Sequence, residues 1–510
     1  MPDDPNSENL NVGIIGAGAM GRGIAQVAAV GGCIVKLYDK NPKVSIDAVE
    51  FVDKMLSRAI EKNKITALDA ENAVKRIKIV NKISEFKDVD VIIEAATEDL
   101  NIKREIFQEV ESVVSKETII ASNTSSLSIT TIASKFEYPD RLAGFHFFNP
   151  VPLMKLVEVI NGVRTKPGVL DFLVGLGKRL GREPVLVSDA PGFLVNQVGR
   201  GYTVEAAHAC NEGVASFSRI DEIMRDAACF KMGPFELMDL TGIDVTHPAT
   251  KLIYEQFYHE PRFRPSTLMQ SRMEGGFLGR KSGEGFYRYE DGKQVANVQI
   301  KTSPYDGRAV WVSRSNLESY PEIIKLITSL GGNLDNGTHP GKESIIIIAP
   351  LGVDATTAAL KEQLEPRQVI AIDTLFSLTK RRTLMRTPIT KSEISSSAYG
   401  LFGADSVPVS IIQDSPGFIT QRIIAMIVNI GCSIAQFGGA TPKDIDKAVV
   451  LGLGYPLGPL AFGDSLGVMR VFKILDSIFK ITGDPRYRPT LWLRRRAALG
   501  ISLLTLDNQV

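Results

Sequence analysis

The chain has 510 residues, with 59 basic against 58 acidic side chains, 44% hydrophobic residues and four cysteines. The balanced charge excludes a global field for nucleic acid or an anionic membrane, and the length predicts several domains around a large buried core. Cys33, Cys210, Cys229 and Cys432 lie far apart, without C-x-x-C or metal-ligand spacing, so reduced thiols and no metal centre are expected.

The opening MPDDPNSENL is acidic and polar, unlike a secretory or transit peptide, and no apolar run approaches the length needed to span a bilayer. A cytoplasmic protein with neither membrane nor nucleic-acid partner is expected. Up to residue 190, apolar runs alternate with helical patterns, the signature of a parallel α/β sheet. Strands are expected at 11–16, 34–39, 89–96, 118–124, 142–148, 156–160 and 183–189. The first runs into GIIGAGAMGRG, which supplies Gly16, Gly18 and Gly21 as G-x-G-x-x-G between strand and helix. The first glycine allows a tight turn, the second a close backbone approach to a pyrophosphate, and the third helix–strand packing. Asp39 ends the next strand, where a carboxylate hydrogen-bonds ribose hydroxyls and disfavours a 2′-phosphate. Residues 1–190 therefore read as a Rossmann-type domain for NAD rather than NADP, with Lys40 beside Asp39 making this a preference.

His146 is one of five histidines and stands in AGFHFFNP; Glu158 follows in KLVEVI. Both runs read as buried strands of the parallel sheet, where a carboxylate is costly unless paired. The short NPVPLMK connection brings the strand ends together at the sheet's C-terminal edge, where ligands bind in this architecture. A carboxylate that orients a histidine is a general-base arrangement; the same pair in an arbitrary fold would serve to tie two strands. Beside a redox dinucleotide the catalytic reading is favoured, because alcohol oxidation needs a base for the hydroxyl proton.

From 191 to 290 longer helical patterns replace the strands, ending in GRKSGEGFYRY. A polar linker is expected over 291–306. Residues 307–410 contain strand-like SIIIIAP and VIAID but no glycine fingerprint, and read as a truncated α/β segment. DAPGFLVNQ at 189–197 matches DSPGFITQR at 414–422, and MGPFELMDLTG at 232–242 matches LGPLAFGDSLG at 457–467, both at an offset of 225 residues. Residues 411–510 are therefore expected to be a second, degenerate copy of the helical domain. Gln421 stands there in place of Asn196, and no second active site is expected.

The stretches GAGAMGRGIA, IIEAATEDLNIK, SNTSSLSIT, HFFNPVPLMKLVEVI, DAPGFLVN, MGPFELMDLTG and SGEGFY together resemble the 3-hydroxyacyl-CoA dehydrogenase family, from residue 11 to about 289. The C-terminal repeat, with YPLGPLAF and RYRPTLWLRRRA, is similar to the long tandem form of bacterial phenylacetate degradation, whose members act on 3-hydroxyadipyl-CoA or related thioesters. The resemblance implies reversible, NAD-dependent oxidation of an (S)-3-hydroxyacyl-CoA to the 3-ketoacyl-CoA. It implies His146 as the base for the C3 hydroxyl and Glu158 as its holder. Ser125 and Asn149 would steady the substrate oxygen, and Asn196 would contact the thioester or hydroxyl. Glu98, Lys103 and Lys281 are implied as cofactor contacts, and Lys62 or Lys64 as a cation for coenzyme A. Because single-copy members pair through the helical domain, the second copy would cover that surface from within one chain, with a homo-oligomer still open. Two other readings stay open: a dehydrogenase of a free β-hydroxyacid, and a non-catalytic NAD-binding or structural relative.

Overall fold

The computed structural model describes residues 4–295 and 304–507; the middle of the linker expected over 291–306 lies outside the described residues. Apolar runs without polar alternation make strands buried on both faces. Such are β1 (Asn11–Ile15), β4 (Val91–Glu94), β5 (Ile119–Ser122), β6 (Leu142–Phe147) and β7 (Leu156–Asn161), while β2 (Ile34–Tyr38), β3 (Ile77–Ile79) and β8 (Glu183–Ser188) are partly exposed. They form one sheet in the order β3-β2-β1-β4-β5-β6-β7-β8. β1 pairs with β2 on one side and β4 on the other, so the strand order reverses there and opens a crevice at the C-terminal ends. The connecting helices are α1 (Ala19–Val30), α2 (Pro42–Glu61), α3 (Ala67–Arg76), α4 (Leu100–Val113), α5 (Ile129–Ala133) and α6 (Pro167–Arg179). The buried side of α1 consists largely of small residues, among them Gly21, Gly23, Ala25, Ala28 and Ala29, which lets the helix lie close to the sheet.

The sheet departs from the all-parallel expectation at one pair. β7 runs antiparallel to β6, and β8 then pairs parallel to β7. The connection over 148–155 is too short for the crossover of a dozen or more residues that a parallel pair requires. The short strand β3, Ile-Lys-Ile, had no periodicity to reveal it.

The chain continues through α7 (Val195–Asn211), α8 (Phe217–Asp226), α9 (Pro234–Thr241), α10 (Ile243–Gln256), α11 (Thr267–Glu274) and a small hairpin of β9 (Tyr289–Glu290) and β10 (Lys293–Gln294). A five-stranded sheet follows, of β11 (Val310–Val312), β12 (Ile345–Ile348), β13 (Val369–Ile372), β14 (Arg382–Arg386) and β15 (Val409–Ile412), in sequential order. Its helices are α12 (Tyr320–Ser329), α13 (Ala355–Lys361) and α14 (Ser392–Phe402). The last stretch is helical: α15 (Thr420–Gln436), α16 (Pro442–Leu453), α17 (Pro459–Leu466), α18 (Val468–Thr482) and α19 (Leu491–Leu499). Among the described residues no helix is long and apolar enough to cross a membrane.

Two compact units result, 1–196 with 437–453, and 197–436 with 454–510. The stretch 437–453, with α16, falls with the first unit. The reason is packing of α16 on β7 and β8: Gly452 lies so close to Leu156 that a Cβ there would stand 2.9 Å from Leu156 Cδ2. Just before α16, the Ser188 N–H donates to the Gly439 carbonyl at 2.8 Å.

Candidate active site

At the turn from β1 to α1 the three glycines meet three different constraints. Gly16 has φ +97°, and a Cβ on it would lie 2.5 Å from the Ala95 carbonyl oxygen. A Cβ on Gly21 would lie 1.7 Å from the Gly16 carbonyl oxygen. A Cβ on Gly18 would meet nothing within 4 Å. Gly18 is also the N-cap of α1, and no side chain caps that helix, so its first-turn N–H groups and dipole face open space. The Asp39 carboxylate accepts from the Ala17 N–H at 2.8 Å and the Asn41 N–H at 3.0 Å, which ties it to the glycine turn and leaves lone pairs for further donors. A cradle of glycine backbone with a carboxylate beside it fits the pyrophosphate and ribose of NAD.

Next along the sheet edge, the end of β4 and the loop after β5 are joined by charge. Lys103 Nζ lies 2.6 Å from Glu94 Oε1 and 3.2 Å from Glu98 Oε2. Ser122 Oγ donates to Glu94 Oε2 at 2.6 Å. Glu98 Oε1 accepts from Thr124 Oγ1 (2.6 Å), the Ser125 N–H (2.9 Å) and Ser126 Oγ (2.8 Å). Partial burial works against the Glu98 charge, but the Lys103 ammonium and these donors outweigh it and hold the carboxyl below its ordinary range. Lys103 itself is only 1% exposed. Its ammonium is taken up by two carboxylates, Glu94 and Glu98. Sequence reading missed Glu94 and Ser122; the signal available was a lone acid ending the apolar run VDVIIEAA.

The third group stands where β6 and β7 pair. Their register puts His146 directly opposite Glu158, and Nδ1 lies 2.7 Å from Glu158 Oε2. Glu158 Oε1 accepts from the Leu194 N–H (3.2 Å) and the Val195 N–H (2.9 Å) at the start of α7, so a helix N-terminus also stabilises its charge. Because a carboxylate only accepts, the Nδ1 proton points at Glu158 and the lone pair of Nε2 is directed elsewhere. The rings of Phe148 and Phe193 flank the imidazole at centroid distances of 4.5 and 5.8 Å. Phe193 takes a left-handed φ of 49°, a conformation an aromatic residue rarely adopts; together with the Leu194 and Val195 amides it was not foreseen. Asn123 Oδ1 accepts from the Phe147 N–H at 2.8 Å and anchors the end of β6.

Gly16, Gly18, Gly21, Asp39, Glu98, Ser125, His146, Glu158 and Asn149 thus all fall at one edge of the first sheet. Ser125 and Asn149 are exposed there, and Asn196, half-buried, sits in the first turn of α7. Lys281 belongs to the other unit, where its ammonium lies 2.6 Å from Asp244 Oδ2.

A dinucleotide turn and a carboxylate-held histidine on one sheet edge define a nicotinamide-dependent dehydrogenase. The model for the 3-hydroxyacyl-CoA dehydrogenase NAD binding domain matches residues 11–190. The model for the C-terminal domain of the same family matches 192–289 and again 417–502. The chain is 35% identical to a 3-hydroxyadipyl-CoA dehydrogenase of Escherichia coli (strain K12), over 96% of this chain and 97% of that protein. It is 40% identical to the mitochondrial hydroxyacyl-coenzyme A dehydrogenase of Sus scrofa over 55% of this chain and 91% of that one. The crystal structure of a 3-hydroxybutyryl-CoA dehydrogenase from Escherichia coli K12 superposes with a TM-score of 0.84 and 34% identity, covering 96% of this chain and 98% of that chain. The chain belongs to the 3-hydroxyacyl-CoA dehydrogenase family, and its cofactor is NAD.

Proposed function

We propose that this protein oxidises the C3 hydroxyl of an (S)-3-hydroxyacyl-CoA, of the 3-hydroxyadipyl or 3-hydroxybutyryl type, reversibly and in the cytoplasm. The observation that supports this best is the His146–Glu158 pair at 2.7 Å on the sheet edge that carries the glycine turn. Bound NAD⁺ supplies the hydride acceptor. His146 Nε2 takes the hydroxyl proton as the C3 hydride departs and the C=O bond forms; Glu158 balances the imidazolium without taking its proton. Ser125 and Asn149 steady the developing carbonyl oxygen, and Asn196 holds the thioester or hydroxyl. Glu98 orders the loop that carries Ser125, and Asp39 takes the ribose. Lys281 adds a cofactor contact, and Lys62 or Lys64 meets the phosphates of coenzyme A. His146→Gln is the test: acetoacetyl-CoA reduction should fall by about 10³-fold or more, with NADH affinity unchanged by fluorescence titration. Retained turnover would overturn the assignment.

We further propose that β11–β15 and the helices after them are a degenerate second copy of the chain from β4 onward. Support comes from topology: both β4–β8 and β11–β15 are sequential, with one antiparallel pair each, β6/β7 and β13/β14. Support also comes from capping. Asp189 accepts from the Ile129 and Thr130 N–H groups of α5, and Asp414 from the Ala355 and Thr356 N–H groups of α13. On this alignment Asp373 stands for His146, Thr383 for Glu158 and Gln421 for Asn196, and the piece lost is β1–β3 with the glycine turn. Gln421 Nε2 donates to Asp373 Oδ1 at 2.9 Å, a satisfied network with no histidine in it. The second copy stands in for a dimer partner: α15 approaches α7 so closely that a Cβ on Gly201 would lie 3.2 Å from Ile427 Cα.

A further inference from the structure

α16 lies within the second match to the family's C-terminal domain, 417–502, yet it packs on β7 and β8 of the first sheet. Its inner stripe is Pro442, Ile445, Ala448 and Val449, and Gly452 continues that stripe at the helical period. Both ends of the helix meet one segment, 188–195. At its start, the Ser188 N–H donates to the Gly439 carbonyl at 2.8 Å and Ser188 Oγ to the Gly438 carbonyl at 3.1 Å. At its end, a Cβ on Gly452 would lie 3.1 Å from both methyls of Val195 and 2.9 Å from Leu156 Cδ2. Only glycine lets the helix come so close. Between these two points the segment carries parts of the active site: Phe193 beside the His146 ring, and the Leu194 and Val195 N–H groups on Glu158 Oε1. Leu156 stands two residues before Glu158 on β7, so both side chains face the same side of the sheet. The end of α16 is thus seated behind the amide that caps the carboxylate.

The same clasp recurs with the copies exchanged. The Gln413 N–H donates to the Val214 carbonyl at 2.9 Å, each residue 225 positions from its counterpart. There, however, Ala227 takes the place of Gly452 and Thr420 that of Val195, and both line a small cavity with Asp373 and Thr383. Where no histidine has to be held, a methyl and a gap are tolerated; behind Glu158 the contact is closed to a glycine's distance.

We propose that α16, a piece of the second copy, buttresses the active site of the first: its close approach at Gly452 fixes the Val195 amide on Glu158, which makes Gly452 a positioning residue for the base. This rests on the reading of His146 as the base and Glu158 as its holder. A side chain at position 452 must push Val195, because a β-branched residue is stiff at χ1 and cannot turn both methyls away. Val195 moves together with its own N–H, so Glu158 Oε1 loses a donor. The carboxylate is then less firmly placed, and the imidazole it orients departs from the geometry that proton transfer needs. The glycine turn and Asp39 follow β1 and β2, two to four strands away from β7 in the sheet order, and are untouched by this push.

The test uses the full chain. Gly452→Ala and Gly452→Val should lower kcat for acetoacetyl-CoA reduction about fivefold and about 100-fold, with NADH affinity unchanged by fluorescence titration. The acid limb of the pH profile for 3-hydroxybutyryl-CoA oxidation, which reports the His146 base, should move to higher pH in both variants. The sign follows from Glu158: a carboxylate with one donor fewer is more basic, so the pair holds its proton more firmly. Gly452→Ala keeps the test valid if Gly452→Val fails to fold. Wild-type kcat in Gly452→Ala, a fall in kcat with an unmoved acid limb, or a fall matched by lost NADH affinity would each overturn the proposal. A wild type inactive on both substrates, or one whose turnover survives His146→Gln, would instead overturn the proposed function.

Discussion

Lys103 is the residue on which the cofactor edge depends most. Its ammonium is buried between Glu94 and Glu98, and removing one partner of such a group leaves an uncompensated buried charge. Lys103→Met should therefore cost about 3–5 kcal/mol of stability in urea unfolding. It should also raise the Glu98 pKa from its depressed position, because the charge that lowers it is gone. In the double variant Lys103→Met/Glu94→Met most of the stability should return, since a well-packed apolar pair replaces a buried ion pair at little net cost. An unaltered midpoint in the single variant would contradict this account. The sequence shows Lys103 inside a motif but not its burial, because TEDLNIK has the look of a solvated helix start; only the packing of α4 reveals where the side chain ends.

The turn from β1 into α1 separates two uses of glycine. Gly21→Ala places a methyl 1.7 Å from a backbone oxygen, so α1 must move and both stability and NADH binding should fall. Gly18→Ala meets nothing within 4 Å and keeps an extended φ of −64° that alanine accepts. It should fold with wild-type stability yet bind NADH about tenfold or more weakly, because the methyl enters the approach to the pyrophosphate. Calorimetry and fluorescence titration on the same samples distinguish the two; wild-type affinity in Gly18→Ala would remove Gly18 from the cofactor site. This element was legible in advance because its constraints are local. The β6/β7 pair was less so: the two apolar runs gave the strands, but direction was set by the length of 148–155. Antiparallel pairing improved on the expectation, since it brings His146 and Glu158 into register instead of merely near each other.

At the scale of the whole molecule, the unit of 197–436 with 454–510 is held by a buried charge cluster. Arg422 Nη2 lies 2.8 Å from Glu205 Oε1, Arg486 lies 3.5 Å from Glu205 Oε2, and the Tyr487 hydroxyl donates to Glu205 Oε1 at 2.5 Å. Burial opposes the Glu205 charge, but Arg422 and Arg486 prevail and its pKa is lowered. A carboxyl whose folded pKa is depressed contributes stability above its unfolded pKa and loses it as pH falls through the folded value. Glu205→Gln should thus be about 3–5 kcal/mol less stable than wild type at neutral pH, and the gap should narrow as the pH is lowered below the carboxylate range. A gap that is constant with pH would mean that Glu205 is not ionised in the fold.

What the sequence by itself determined is whatever depends on residues close along the chain: the glycine turn, the apolar strands, and a histidine with a carboxylate twelve residues on. Each of these is a short-range pattern with one favourable backbone solution. The tertiary structure decided the rest. It buried Lys103, made β7 antiparallel, gave Glu158 the amides of Leu194 and Val195, and moved α16 onto β7 and β8 and out of the unit that holds the other C-terminal helices. It also brought α16 against Val195 at Gly452. Burial and pairing are properties of what packs against a side chain, and the partners here lie tens to hundreds of residues away, where no local pattern records them.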